Sequence, residues 1–181
     1  MARGVADQVR ADPDLAAALE DAAGGRIEEL DAGDGLNVGG FSLEAVWPRA
    51  PVEGGENEDS LVFVARYGGT SGPSALLTGD AESDVVEGLL AAGAVGEVDL
   101  LKVGHHGSAA STTPRMMEAL DPDVAVASAG EGNRYGHPAP ECVEAVRSSG
   151  AEFLCTMDCG DVEFRPMGAG FEVRCARGAG A

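Results

Sequence analysis

Histidine is nearly absent from this chain: His105, His106 and His137 are the three among 181 residues. A metal centre built mainly from imidazoles therefore has little to draw on, yet two of the three stand side by side. Basic residues are also scarce, with 12 Lys and Arg against 31 Asp and Glu, a formal charge of −19. Such a surface repels phosphate chains and gains little from counterion release. A nucleic-acid substrate would need a local basic patch or bound metal ions. No apolar run approaches the roughly 20 residues that span a bilayer. The opening stretch "MARGVADQVRADPDLAAALEDAA" is broken by charges where a signal peptide needs its apolar segment. The chain as written is expected to be neither inserted nor exported. The four cysteines, Cys142, Cys155, Cys159 and Cys175, all lie late in the sequence. Only Cys155 and Cys159 are close, at a spacing that suits neither a zinc knuckle nor a redox pair. They are expected to be buried free thiols.

What remains is an ordinary globular composition, 44% hydrophobic and 24% charged, in a length suited to a single domain, 1–181. Residues 1–24 form an N-terminal helical segment: a helix is expected over 5–23, divided by Pro13 with Asp12 as a cap and stopped by Gly24 and Gly25. A β-meander follows, with apolar alternations at 27–30, 36–38 and 41–46. The acidic loop "PRAPVEGGENED" leads into a hairpin made by "SLVFVARYGG" and "SALLTGDAE". Helical patterning from Glu82 to Leu90 gives way to the apolar strand "EVDLLKVG". Helix "TTPRMMEAL", strand "DVAVASAG" and helix "APECVEAVRSSG" continue the alternation, and "EFLCTMD", "GDVEFRP" and "GFEVRC" close it as strands. The fold class is α/β.

Three loops follow the carboxyl ends of successive strands and carry Asp80, the pair His105 and His106, and His137. In a sheet with parallel strands these ends share one rim, where α/β folds place their sites. Taken singly each has a plain structural reading: Gly-Asp as a turn or helix cap, and a histidine before proline as a turn residue. The adjacent histidines resist that reading. On an extended segment neighbouring side chains face opposite ways, so one can bind metal while the other meets substrate or a supporting carboxylate. Together the loops suit zinc or manganese, with Asp80 able to bridge two ions and help generate hydroxide. Ser108, Ser111 and Thr112 offer hydroxyl donors, and Ser111 is placed to cap the next helix. A nucleophilic Ser108 is the rival enzymatic reading, without a Gly-x-Ser-x-Gly elbow to support it.

The motif order "NEDSLVFVARYGG…ALLTGDAE", "VDLLKVGHHGSAAST" and "DPDVAVASAGEGNRYGHP" resembles the C-terminal part of metallo-β-lactamase-fold domains of the ComEC competence type. The resemblance implies an αββα sandwich with a two-metal hydrolytic site acting on a phosphodiester. It implies that Asp80 bridges the metals and that His105 or His106 is a ligand, His106 being favoured. It places Asn133, Tyr135 and His137 along the same site, with Asn133 and Ser108 toward substrate. Tyr135 and His137 would orient phosphate or transfer a proton. The cofactor implied is zinc or manganese, as one or two ions, or none held by this chain alone.

The departure from that family is as informative as the match. Its principal metal signature, His-x-His-x-Asp-His, needs histidines this chain does not have, and the resemblance implies that the N-terminal half of the sandwich is missing. Three expectations follow: a fragment of a longer protein, a partner for a complementing chain or a second copy, or a non-catalytic relative kept for assembly. Exposed apolar sheet surface is expected on the half-sandwich, and with it association. In ComEC proteins the domain belongs to a DNA-uptake channel, which implies an extracytoplasmic site, although no membrane segment lies in these residues.

Overall fold

The computed structural model describes residues 1–3, 5, 9, 12–24 and 28–178. Of the expected N-terminal helix, residues 4, 6–8, 10 and 11 lie outside that set, as do Gly25 of its expected stop and residues 26 and 27 where the meander was expected to begin. The second part of the helix forms as its signals dictate. Helix α1 (Pro13–Ala23) starts with proline at its first position, Asp12 accepts from the amides of Asp14 and Leu15, and Gly24 closes it in the left-handed conformation.

A seven-stranded mixed sheet carries the rest: β1 (Gly35–Val38), β2 (Phe41–Trp47), β3 (Val62–Tyr67), β4 (Ser74–Leu77), β5 (Leu100–Lys102), β6 (Val124–Ala127) and β7 (Glu152–Cys155), in that spatial order. The pairs from β1 to β4 are antiparallel and those from β4 to β7 parallel. Helices α2 (Ser83–Ala91), α3 (Pro114–Leu120) and α4 (Pro140–Ser149) are the crossovers that parallel pairing demands. The cap of α3 is Thr113, whose Oγ1 accepts from the Met116 amide. Ser111 is not the cap: it is buried and donates to the Ser108 carbonyl, because the turn before α3 runs two residues further than the spacing suggested.

Side-chain alternation along the short strands divides the core in two. Leu76, Leu101, Val103, Ala125 and Ala127 face the helices and pack with Val86, Leu89, Met116, Met117, Leu120, Cys142 and Val146. Ala75, Leu100, Val126 and Leu154 face the other way. Against them lies a separate antiparallel ribbon of β8 (Val162–Met167) and β9 (Gly170–Cys175), contributing Val162, Phe164, Phe171 and Val173. The second face of the sheet is thus covered by the chain's own ribbon, at least over β3 to β7. Fully burying each such aliphatic side chain is worth about 1.5–3 kcal/mol.

Two expectations change here. The stretch "EFLCTMD" is not a strand throughout: after Cys155 the chain turns into the single-turn helix α5 (Thr156–Cys159). That turn brings Cys159 to Cys175, and the two form a disulfide across 16 residues. The expectation of four free thiols therefore holds only for Cys142 and Cys155, both buried. Sequence spacing cannot reveal such a pairing, which depends on where the ribbon folds back. Among the described residues no helix is long and apolar enough to cross a membrane.

Candidate functional site

Strands β4, β5 and β6 end in register, with Leu77 opposite Lys102 and Lys102 opposite Val126. Their following loops therefore start side by side on one rim. Backbone hydrogen bonds knit them together: His105 N–H donates to the Gly79 carbonyl at 3.3 Å and Ala139 N–H to the Gly107 carbonyl at 2.7 Å. Lys102 Nζ donates to the Gly79 carbonyl at 3.0 Å, and the buried Thr78 hydroxyl donates to the Lys102 carbonyl at 2.7 Å. Burial holds the Lys102 ammonium below its ordinary range, and the charge of Asp80 works against that shift.

The two histidines sit on an unusual backbone. His105 and His106 have φ of 40° and 57°, both left-handed, and Gly107 follows at 84°. Non-glycine residues there cost of order 1–3 kcal/mol each, and the surroundings must over-determine them. Close packing supplies that constraint. A Cβ on Gly104 would lie 2.1 Å from the Ala81 carbonyl oxygen, and one on Gly107 would lie 2.8 Å from Pro138 Cβ. The GHHG turn is wedged between the Asp80 loop and the His137 loop.

The left-handed turn sends the adjacent imidazoles to different partners. His106 Nδ1 lies 2.7 Å from the Ser128 carbonyl oxygen, so that nitrogen donates, and the lone pair rests on Nε2. Nε2 is 3.6 Å from Asp80 Oδ1, both side chains being about half exposed. His105 Nδ1 instead lies 2.8 Å from Glu82 Oε1 and 3.0 Å from the side-chain amide of Asn57. Ser108 is buried and its hydroxyl donates to Glu82 Oε1 at 3.0 Å.

His137 joins the rim with its ring 5.5 Å from that of His105 and stacked at 5.8 Å on Tyr135, which is exposed. His137 Nδ1 is buried without a hydrogen-bond partner. Asn133 uses both ends of its amide on its own loop, accepting from His137 N–H and donating to the carbonyls of Gly130 and His137. Its side chain shapes the loop that carries His137. A groove of about 700 Å³ runs from His106 past Ser128, Tyr135 and His137 to Asp161 and Arg177.

The structure thus brings Asp80, His105, His106 and His137 to one rim, with Tyr135 at its edge and with Ser108 and Asn133 behind it as supports. Sequence reasoning missed Glu82, Asn57 and Ser128. Glu82 had a signal, since it lies two residues after Asp80 in the same loop. Asn57 sits in an acidic stretch that reads as a solvated charge run, and Ser128 acts only through its backbone.

A metal ion is the group this rim must be tested against. In tetrahedral zinc sites bonds of about 2.0–2.1 Å put neighbouring donors roughly 3.3–3.4 Å apart. The 3.6 Å between Asp80 Oδ1 and His106 Nε2 is close to that edge, and the Ser128 carbonyl supplies the outer contact typical of ligating histidines. The pair fits two positions. It does not make a catalytic zinc centre, which takes three protein ligands and a water, and among the described residues no group of three His, Cys, Asp or Glu could hold an ion.

No family model matches the chain. Among curated proteins it is similar to ComE operon protein 3 of Bacillus subtilis (strain 168), 32% identical over 163 residues, which is 90% of this chain and 20% of that protein. It is 35% identical over 126 residues to Competence protein ComA of Neisseria gonorrhoeae, 69% of this chain and 18% of that one. It is also 35% identical over 99 residues to Recombination protein 2 of Haemophilus influenzae, 55% of this chain and 12% of that one. These relatives indicate a competence-related family, and the chain spans a fifth or less of the length of each.

Proposed function

We propose that this chain serves DNA uptake as one wall of a metallo-β-lactamase-like hydrolytic site whose substrate is a phosphodiester. The observation that carries the reading is the Asp80 and His106 pair, 3.6 Å apart at the shared rim with His106 Nδ1 tied down at Ser128. The three relatives support the DNA-uptake setting. Asp80 and His106 would hold a zinc or manganese ion, which when bound supplies a Lewis acid and an activated hydroxide. The remaining donors come from outside the described residues, from a complementing segment or a second copy. Tyr135 and His137 border the groove leading away from His106, where they would orient the phosphate, and Ser108 and Asn133 hold the loops that present them. The net charge of −19 makes metal the source of attraction for phosphate. The Cys159–Cys175 disulfide supports a position outside the cytoplasmic membrane, where such bonds persist.

Zinc and manganese titration by calorimetry, with turnover on bis(p-nitrophenyl) phosphate and single-stranded DNA, tests this. Weak metal binding lost in both Asp80→Ala and His106→Ala, with little turnover, is expected. Binding indifferent to both substitutions would refute the metal wall. Robust turnover abolished by Asp80→Ala would instead show that the site is complete.

A second reading, a non-catalytic assembly module, is favoured by the net charge of −19, which repels a nucleic-acid substrate. It requires no stoichiometric zinc and a melting temperature unaffected by chelator.

A further inference from the structure

Glu82, which no motif singled out, sits at the centre of the rim's densest polar network. It is the residue before α2, whose first-turn amides favour negative charge at that position. Its Oε1 meets both the Ser108 hydroxyl at 3.0 Å and His105 Nδ1 at 2.8 Å. A carboxylate only accepts, so both partners donate. We infer that Glu82 is a positioning residue that fixes His105 in its Nδ1–H form, leaving Nε2 as the lone-pair nitrogen presented to the rim.

Asn57 bears on the same assignment. Its amide reaches His105 Nδ1 at 3.0 Å from the loop before β3. The atom that faces the ring is the amide nitrogen Nδ2, and one ring nitrogen cannot both accept from it and donate to Glu82, so the two contacts compete. The carboxylate decides, because it only accepts and a lone pair on Nδ1 at 2.8 Å from it would be repelled. Two segments meet at His105 Nδ1, the acidic loop through Asn57 and the start of α2 through Glu82, while Ser108 of the GHHGS turn holds Glu82 from the other side. Glu82 is about three-quarters buried and His105 about two-thirds, so the contact is sheltered from water on most sides. A left-handed φ of 40° at His105 is the kind of backbone cost that such converging contacts sustain.

The adjacent histidines are then alike in tautomer and different in anchor. His106 is set by a neutral carbonyl, Ser128 O, and His105 by a carboxylate. Both present Nε2, which doubles the number of imidazole lone pairs available at the rim. What those lone pairs would meet rests on the hydrolytic reading, whereas the tautomer stands on the hydrogen bonds alone.

Two-bond proton–nitrogen correlation spectra of the ¹⁵N-labelled protein, at a pH where the imidazoles are neutral, test the inference directly. Three histidines give three ring patterns, assigned by single His→Gln variants. In the unsubstituted protein His105 should show a protonated Nδ1 and an unprotonated Nε2, as should His106. Glu82→Ala should invert or mix the His105 pattern and leave that of His106 in place as an internal control. Glu82→Gln, which keeps an acceptor, should restore it. An Nε2–H pattern for His105 in the unsubstituted protein would overturn the inference without any variant. So would an unchanged His105 pattern in folded Glu82→Ala. Failure of the hydrolytic reading shows in the metal titration and not in these spectra.

Discussion

Gly104→Ala is the sharpest perturbation of the rim, because the new methyl meets backbone rather than a side chain that can swing aside. Its Cβ would stand 2.1 Å from the Ala81 carbonyl oxygen, 3.2 Å from the Ala81 carbonyl carbon and 3.4 Å from Thr78 Oγ1. Ala81 and Thr78 are both 1% exposed, so neither loop can yield outward without opening the core. Overpacking costs about 1–3 kcal/mol, and a clash with fixed backbone belongs at the upper end, about 2–3 kcal/mol. For a chain of this size each kcal/mol moves the melting temperature by about 2–4 °C, so a drop of about 4–12 °C is expected. Gly96→Ala is the matched control: a Cβ there meets nothing within 4 Å and its φ is not left-handed. That variant should gain about 0.4–1 kcal/mol through the unfolded chain. Thermal unfolding followed by circular dichroism separates the two, and metal titration of Gly104→Ala should show weaker binding as His106 is pushed from Asp80. A Gly104→Ala melting temperature at or above that of the unsubstituted protein would refute the packing argument.

Thiol titration should find almost no reactive cysteine in the folded protein, two after denaturation and four after denaturation with reduction. Cys142 and Cys155 are buried, Cys159 and Cys175 are bonded, and burial also raises the Cys155 thiol above its ordinary range; four thiols before reduction would contradict the disulfide. On the exposed ribbon, the hydrogen bond from Arg165 holds the Glu163 carboxyl below its usual range. A depressed carboxyl favours the folded state above its unfolded-state value and loses that effect as pH falls through the folded one. Because the pair is open to solvent and screened, Arg165→Ala should return the Glu163 carboxyl to its ordinary range by NMR titration while leaving the melting temperature unchanged near neutrality.

The parts of the fold that rest on local chemistry were legible in the residues. Asp12, Pro13 and Gly24 bracket α1, and the apolar runs flanking Gly79 and Gly104 became β4 and β5. Period-2 apolar runs and helical stretches between them specify an α/β sheet whatever the tertiary partners. What escaped depends on contacts between distant segments. Thr156–Cys159 coils because the chain must turn back toward the ribbon, and Cys159 finds Cys175 only once that ribbon has folded. At the site, Asp80, His105, His106 and His137 stood out by residue type and strand-end position. Their supports were harder to see: Glu82 had only its place two residues after Asp80, and an asparagine and a backbone carbonyl carry no sequence signature until the loops bring them within 3 Å of an imidazole.

The strands of the seven-stranded sheet lie beside one another in the order in which they occur along the chain. Each strand emerging during synthesis therefore finds its docking edge already made, and no later strand has to be inserted between two earlier ones. The cost of closing loops is met in six modest instalments, one for each neighbouring pair, rather than in one long-range search. The rim assembles on the same schedule: Asn57 and Asp80 are in place before the histidines arrive, and the Tyr135 and His137 loop comes last. A nascent chain arrested after β5 would already hold Asp80 beside the GHHG turn, but it would lack the Ser128 carbonyl that orients His106.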